Sequence, residues 1–180
     1  QLGPAPGLAG WAESGAVEVT TFRVESGCRD ARRPDQVEFT GDLRADLERR
    51  DFTVNAIAWD PIADAEFDPF AGRADLAAGL LRAVGDARTR FHEDGLRPMC
   101  AARFAATLEF TIVPETFEAM GEARHEVARV AAERIRDELV KMLRAREPSR
   151  GLEALRRSGL LAVVLPELEV TVAVAQNRYH

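Results

Sequence analysis

Cysteine is nearly absent. Cys28 and Cys100 are the only two in 180 residues, too few for a disulfide framework or a zinc site, which points to a reducing compartment and by default the cytoplasm. No apolar run approaches the length of a membrane span, so no membrane partner is expected. The opening Gln1-Leu-Gly-Pro-Ala-Pro-Gly lacks the basic-then-apolar pattern of a secretion signal. His92 and His125 stand alone, without metal-ligand spacing, and read as ordinary residues. Neither an internal repeat nor a low-complexity segment is visible. Basic charge is in the minority, with 24 Lys and Arg against 30 Asp and Glu and a net charge of -6. That argues against a surface coated by nucleic acid, because such binding is driven by neutralised phosphates. A local patch remains open, since Arg124 to Arg157 is slightly basic.

What is present describes an ordinary soluble globular chain, 46% hydrophobic and 30% charged, long enough for one domain or two small ones. Residues 1–15 are rich in Gly, Pro and Ala and read as a loop or an incomplete start, a view to which the first residue, Gln rather than Met, adds. From Ala16 to Val24 polar and apolar residues alternate, which predicts a strand with one buried face. Glu25 to Pro34 reads as a mobile charged loop and Val37–Phe39 as a short strand. Asp42 is a plausible N-cap for a helix running to about Arg50, placing Asp46 and Arg50 one turn apart. A second short helix is expected over Thr53–Trp59, stopping before Pro61. Phe67–Phe70 and Gly72–Leu76 predict a turn leading into a short helix, and Leu80–Val84 a strand closed by Gly85-Asp86. No strand is expected after residue 86: Leu96, Cys100, Phe104 and Leu108 recur at helical spacing, and Phe117, Met120, Val127, Val130 and Leu139 continue the pattern.

One stretch concentrates chemistry, Asp46-Leu-Glu-Arg-Arg-Asp-Phe-Thr-Val-Asn-Ala-Ile-Ala-Trp-Asp60. Arg49, Arg50, Asp51 and Asn55 stand beside the apolar Phe52, Val54, Ala56, Ile57 and Ala58, which suggests polar groups held on a packed scaffold. Arginine offers a fixed fork of donors to phosphate. A neighbouring carboxylate can accept from a ribose hydroxyl, and Asn can do either. A helix turn laced with Arg–Asp pairs would show the same residues. Glu18 is unusual in its strand; an edge-strand Glu pointing to water is the plain alternative. Asp94 and Arg97, three apart near a helix start, could present acceptor and donors from one face, or form an N-cap and a first-turn ion pair.

A second stretch, Arg90-Phe-His-Glu-Asp-Gly-Leu-Arg97, runs on to Ala102-Arg-Phe-Ala-Ala106. Taken with Val17-Glu-Val-Thr-Thr-Phe-Arg23 and Glu133-Arg-Ile-Arg-Asp-Glu-Leu139, it resembles the class II tRNA CCA-adding nucleotidyltransferase and bacterial poly(A) polymerase family. The resemblance covers roughly residues 16 to 180. It implies an α+β chain: part of a nucleotidyltransferase (polymerase-β-like) head sheet with helices over residues 16–86, then an all-α neck and RNA-binding body over 87–168. It implies template-independent transfer of CMP and AMP from CTP and ATP to tRNA 3′ ends, with AMP addition to other RNA 3′ ends as the nearest alternative. By the same resemblance Asp94 and Arg97 read the base edge, Arg50 contacts the triphosphate and Asp51 the ribose hydroxyl, and Asn55 positions one or the other. Glu18 becomes a catalytic carboxylate sharing two Mg²⁺ ions. Glu133, Arg134 and Glu138 brace the pocket, unless they form a plain surface network. Arg103 either braces the base-reading helix or pairs with Glu109.

Two departures stand out. Where the family usually has a second Arg, three residues after Arg97, this chain has Cys100, and a thiol cannot replace a guanidinium on phosphate. The Gly-Ser loop and Asp-x-Asp pair expected some tens of residues before Val17 have no counterpart in Gln1–Gly15, so weak or absent turnover, or a non-catalytic nucleotide- or RNA-binding role, is expected of these residues alone. Pro166-Glu-Leu and Ala175–His180, within residues 169–180, resemble the entry to an HD phosphohydrolase domain, with His180 its first metal histidine.

Overall fold

The computed structural model describes residues 21–28, 34–172 and 174. Glu18, Ala16–Thr20 and His180 therefore lie outside the described residues. Strand β1 (Arg23–Cys28) pairs antiparallel with β2 (Pro34–Phe39), Arg23 opposite Phe39 and Cys28 opposite Pro34. The mobile loop expected over Glu25–Pro34 is thus corrected: Glu25–Cys28 is strand, because the second strand runs back to Pro34 and supplies a ladder for it.

Helix α1 (Leu43–Glu48) starts where expected, with the Asp42 carboxylate accepting from the Arg44 amide at 2.9 Å. The helix expected over Thr53–Trp59 is a single 3-10 turn, Thr53–Asn55. Beyond it β3 (Ala58–Asp60) pairs antiparallel with β4 (Ala65–Phe67). The reason is local: the Asp60 carboxylate accepts from the amides of Ile62 and Ala63 at 2.9 and 3.1 Å, a turn that Asp and Pro favour over continued helix. Helix α2 (Gly72–Ala78) begins on Asp68, whose carboxylate takes the amides of Gly72 and Arg73 at 2.7 and 2.9 Å.

Strand β5 (Leu80–Leu81) leads to α3 (Ala87–Glu93), capped by Asp86, and α4 (Arg97–Thr107). A second correction follows: β6 (Thr111–Ile112) pairs in parallel with β5. The run Thr111-Ile112-Val113 is β-branched, and Pro114 stops its pairing and starts α5 (Pro114–Glu122). The rest is helical: α6 (Arg124–Ala128), α7 (Ala132–Leu143), α8 (Pro148–Ser158), α9 (Leu161–Val164) and α10 (Pro166–Glu169). The described strands thus form three two-stranded sheets in a helix-rich chain.

The main apolar cluster joins Phe91, Met99, Met120, Met142 and Leu155 of the helices, and Leu160 between α8 and α9, to Phe52, Leu81 and Ala83 from before residue 86. Packing therefore continues across the expected boundary. On α4 the buried residues are Pro98, Met99, Ala101, Ala102, Ala105 and Ala106, a small-residue face that lets neighbouring helices approach. Cys100 and Phe104 are only partly buried, and Leu108 is exposed, so the apolar stripe first read along the helix is shifted round it. Leu47, Ala56 and Val84 form a separate small cluster under α1.

Candidate functional site

The polar stretch after α1 is laid against the strand region before α3. The Thr53 amide donates to the Arg82 carbonyl at 2.9 Å and the Val84 amide to the Asp51 carbonyl at 3.1 Å, flanking a bridge between Phe52 and Ala83. Phe52 is fully buried and meets Phe104 edge-on, centroids 5.7 Å apart. With Phe52 driven inward, Asp51 stays half-buried and Asn55 exposed. The Asp51 carboxylate oxygen Oδ1 accepts from the Phe52 amide at 2.8 Å and from Asn55 Nδ2 at 3.0 Å. Asn55 thus fixes the Asp51 carboxylate in one orientation.

Asp46 is the hub that sequence reasoning missed as such. At 3% exposure it accepts from the Arg23 amide at 3.2 Å, from Arg49 Nε and Nη2 at 3.0 and 2.7 Å, and from Arg50 Nη2 at 3.4 Å. Burial pushes its carboxyl up, but the Arg49 and Arg23 hydrogen bonds and the charges of Arg49 and Arg50 outweigh burial and hold it below the ordinary range. The visible sign was its place one turn before two arginines. Arg50 keeps much of its guanidinium in solvent, 42% exposed.

Between α3 and α4 the chain makes a tight turn. Gly95 is buried against α6: a Cβ there would lie 2.5 Å from the Glu126 carbonyl oxygen, closer than a side chain can stand. Asp94 precedes the helix rather than standing on it, since α4 begins at Arg97. Its Oδ1 accepts from the Leu96 amide at 3.0 Å, and its Oδ2 receives Arg134 Nη2 at 3.0 Å from α7. The first-turn Asp94–Arg97 pair considered from sequence is therefore replaced by a bond 40 residues away. Arg97 is 15% exposed at the side chain. Its Nη1 donates to the Arg90 carbonyl at 3.0 Å and to Glu93 Oε2 at 3.1 Å, and its Nη2 to the Arg49 carbonyl at 2.8 Å. These use three of five N–H groups and leave Nε and one Nη2 hydrogen without a partner among the described residues.

Helix α7 supplies the brace. Besides Arg134, it carries Glu138, buried at 6%, which receives Arg103 Nε and, at 2.8 Å, Lys141 Nζ. Burial raises the Glu138 carboxyl, but hydrogen bonds from Lys141 and Arg103 win and hold it below the usual carboxylate range. Arg103 thus pairs with Glu138 and not with Glu109, whose partner is Arg146 at 3.6 Å. The Arg103 guanidinium also lies over the Phe104 ring, 4.0 Å from its centroid. Glu133 is exposed in the first turn of α7, where its charge suits the positive end of the helix. The Cys100 thiol is pushed up to about 12, by burial first and then by the charge of Glu138, so it stays protonated and offers no nucleophile. His92 pairs with Glu126 at 3.2 Å on the surface. Among the described residues no group of three His, Cys, Asp or Glu side chains could hold a metal ion.

The arrangement brings Arg50, Asp51 and Asn55 of one loop to the turn carrying Asp94 and Arg97, through Arg97's bond to the Arg49 carbonyl. Guanidinium donors that could meet a phosphate, a carboxylate that could accept from a hydroxyl, and the Asp94 carboxylate held by Arg134 share one seam.

Comparison with known proteins bears on this seam. Residues 8–82 match the poly A polymerase head domain, and residues 109–171 match a probable RNA and SrmB-binding site of polymerase A. The chain is 48% identical over 162 residues to the CCA-adding enzyme of Lactococcus lactis subsp. lactis (strain IL1403), covering 90% of this chain and 40% of that protein. With the CCA-adding enzyme of Lactobacillus johnsonii it shares 51% identity over 130 residues, 72% of this chain and 32% of that one. The Bacillus stearothermophilus CCA-adding enzyme in complex with CTP superimposes with a TM-score of 0.76 at 36% identity, over 86% of this chain and 37% of the other. The Thermotoga maritima CCA-adding enzyme complexed with tRNA gives 0.63 at 30% identity, over 69% and 31%. The chain thus spans between about a third and two fifths of the length of these relatives.

Proposed function

This chain belongs to the CCA-adding nucleotidyltransferase and poly(A) polymerase family, and on that premise we propose that it selects the incoming nucleotide for template-independent CCA addition to tRNA 3′ ends. Cytosine and adenine share an exocyclic amine donor beside a ring-nitrogen acceptor; uracil and guanine carry a keto oxygen at the corresponding place. A carboxylate accepts from the amine while a guanidinium donates to the ring nitrogen. Asp94 and Arg97 are assigned those two roles, which admit CTP and ATP and refuse UTP and GTP. Arg50 takes the triphosphate and Asp51 a ribose hydroxyl, with Asn55 holding Asp51. Arg103, Glu133, Arg134 and Glu138 keep the base-reading turn in place.

The observation that carries the reading is that Asp94 and Arg97 are anchored by separate partners, Arg134 and the Arg49 carbonyl, while Arg97 retains donors that no described residue takes. Preorganised donors of this kind discriminate because the wrong base leaves them unpaired.

The family uses divalent metal ions, and Mg²⁺ with Glu18 as one ligand is the assignment that follows. Such ions would neutralise the triphosphate and activate the RNA 3′ hydroxyl. The described residues supply no metal cluster, so no step is assigned to them. No helix among them is long and apolar enough to cross a membrane, and the place of action proposed is the cytoplasm, with tRNA as partner.

Equilibrium binding of the four nucleoside triphosphates tests the reading. CTP and ATP should bind about 10-fold or more tighter than UTP and GTP, and Asp94→Ala or Arg97→Ala should erase that preference. A preference surviving both substitutions would remove the two residues from the role. Extension of a labelled tRNA lacking its CCA, with Mg²⁺, CTP and ATP, separates the chemistries: C, C and A support CCA addition, while A alone supports the poly(A) alternative.

A further inference from the structure

Helix α2 carries none of the residues assigned to the nucleotide, yet the loop bearing Asp51 and Asn55 rests on it. The turn Thr53–Asn55 is three residues long and has no side-chain cap. A lone 3-10 turn of that kind is weak by itself, so its hold comes from outside. Thr53 supplies it. The residue is 2% exposed, and each of its polar groups is engaged. Its amide donates to the Arg82 carbonyl at 2.9 Å. Its hydroxyl donates to Asp75 Oδ2 on α2 at 2.8 Å. Its carbonyl accepts from the Ala56 amide at 3.0 Å and lies so close to Gly72 that a Cβ there would overlap it. The Arg82 side chain closes the triangle, its Nε donating to the same Asp75 oxygen at 3.1 Å. Two residues on from Thr53, Asn55 Nδ2 donates to Asp51 Oδ1, which also accepts from the Phe52 amide. Among the described residues Asp51 Oδ2 has no hydrogen-bond partner.

We propose that Thr53, gripped by Asp75, is a positioning residue for the ribose contact: it sets Asn55, and Asn55 keeps Asp51 Oδ2 open and aimed at the ribose hydroxyl. The inference rests on the ribose role assigned to Asp51. An Asp carboxylate turns easily about its last bond, so a single bond from the Phe52 amide leaves its direction loose. The second bond, from Asn55, fixes it. Without the Thr53 hydroxyl, the buried Asp75 carboxylate is one donor short, and the turn shifts as α2 and Arg82 rearrange around it. Asn55 then leaves Oδ1, and Oδ2 loses its line to the sugar, where a bent hydrogen bond is a weak one. The base-reading pair is anchored elsewhere, through Arg134 and the Arg49 carbonyl, and keeps its place. The loss therefore falls on the sugar and not on the base.

The test measures dissociation constants for CTP, its deoxyribose analogue dCTP, and UTP on the full chain. The unmodified chain should bind CTP about 10-fold or more tighter than dCTP, in line with one hydrogen bond to a charged group, and Asp51→Ala should remove that difference. Thr53→Val keeps the shape without the hydroxyl and should lower the CTP-to-dCTP preference about 3-fold or more, with the CTP-to-UTP preference unchanged. Thr53→Ser, which keeps the hydroxyl, should retain the unmodified preference. In an Asp51→Ala background Thr53→Val should change the ratio no further. An unmodified CTP-to-dCTP ratio in Thr53→Val, an equal fall in the CTP-to-UTP ratio, or a ratio in Thr53→Ser as low as in Thr53→Val overturns the proposal. Should Thr53→Val fail to fold, Thr53→Ala, which leaves room for water beside Asp75, decides by the same ratios. If the unmodified chain does not distinguish the two sugars, or Asp51→Ala still does, the ribose role of Asp51 falls and this inference with it. If Asp51→Ala abolishes the distinction while Thr53→Val is silent, only this inference falls.

Discussion

The helical body and the seam between α1 and the α3–α4 turn are both densely contacted, but they are held by opposite means. In the body, Phe91, Met99, Met120, Met142, Leu155 and Leu160 are buried to 1% exposure or less, and the contacts are apolar. In the seam, Asp46, Arg90, Glu93, Asp94, Arg97 and Arg134 are fixed by directed hydrogen bonds between side chains and carbonyls. Apolar burial is non-directional and sets how closely elements approach. Hydrogen bonds weaken steeply when bent and so set orientation. The base discrimination proposed for Asp94 and Arg97 would need orientation, and the seam that carries them lies where the apolar core gives out. Phe52 joins the two regimes: it belongs to the polar loop but ends in the body's core.

The largest effect should come from cutting that joint. Phe52→Ala removes a fully buried ring and leaves a cavity against Phe104, at a cost of about 3–5 kcal/mol. Urea unfolding measures it. A loss below about 1 kcal/mol would mean that the loop is not anchored by the core, and the contrast between the two regions would fail.

Next is Glu138→Gln, where a buried carboxylate with two cationic partners loses its charge, costing about 1.5–3 kcal/mol. The pH dependence sharpens this. Glu138 and Asp46 are held below their ordinary carboxyl values in the fold. Their contribution is therefore complete above the unfolded value, near 4, and is lost as pH falls through the lowered folded value. Stability measured at pH 6 and pH 3 should fall less in Glu138→Gln than in the unmodified chain. Equal losses would show that Glu138 carries no such linkage.

How much of this could be read in the sequence depends on the range of each contact. The Asp42 cap, α2 and the helices after residue 86 followed from local patterns, because residue type and spacing are local. The β3–β4 hairpin was misread since Asp60-Pro61 stops a helix as well as it starts a turn, and only pairing with Ala65–Phe67 decides. Strand β6 is two residues long and exists because Thr111 finds the Gly79 carbonyl at 2.8 Å. The partners of Arg103 and Asp94 lie 35 and 40 residues away, and no periodicity encodes them.

Arg134→Met divides stability from selection. Its bond to Asp94 is partly exposed, 22% and 29% at the two side chains, so the stability loss should stay within about 1 kcal/mol. Asp94 would nonetheless lose the group that aims its carboxylate, and the CTP and ATP preference should fall about 5- to 10-fold. A stability loss as large as that of Glu138→Gln, with selection intact, would make Arg134 a support of the body rather than of the seam.

The smallest effect tests whether position in the seam matters more than the presence of an ion pair. Arg88 and Glu122 are bridged across 34 residues, with Arg88 Nη2 at 2.9 Å from Glu122 Oε1, a geometry as good as that of Arg134 and Asp94. Yet both side chains are more than half exposed, 61% and 54%, so water and salt screen the attraction and the ordering of two long side chains offsets it. Arg88→Met should leave the melting temperature and the four nucleotide affinities unchanged. A shift in melting temperature matching that of Arg134→Met would mean that long-range pairing alone, wherever it stands, holds α3 to α5. The seam would then lose its claim to be a separate device, because the directed bonds around Asp94 and Arg97 would be one instance of a general lacing rather than the means of aiming a base-reading pair.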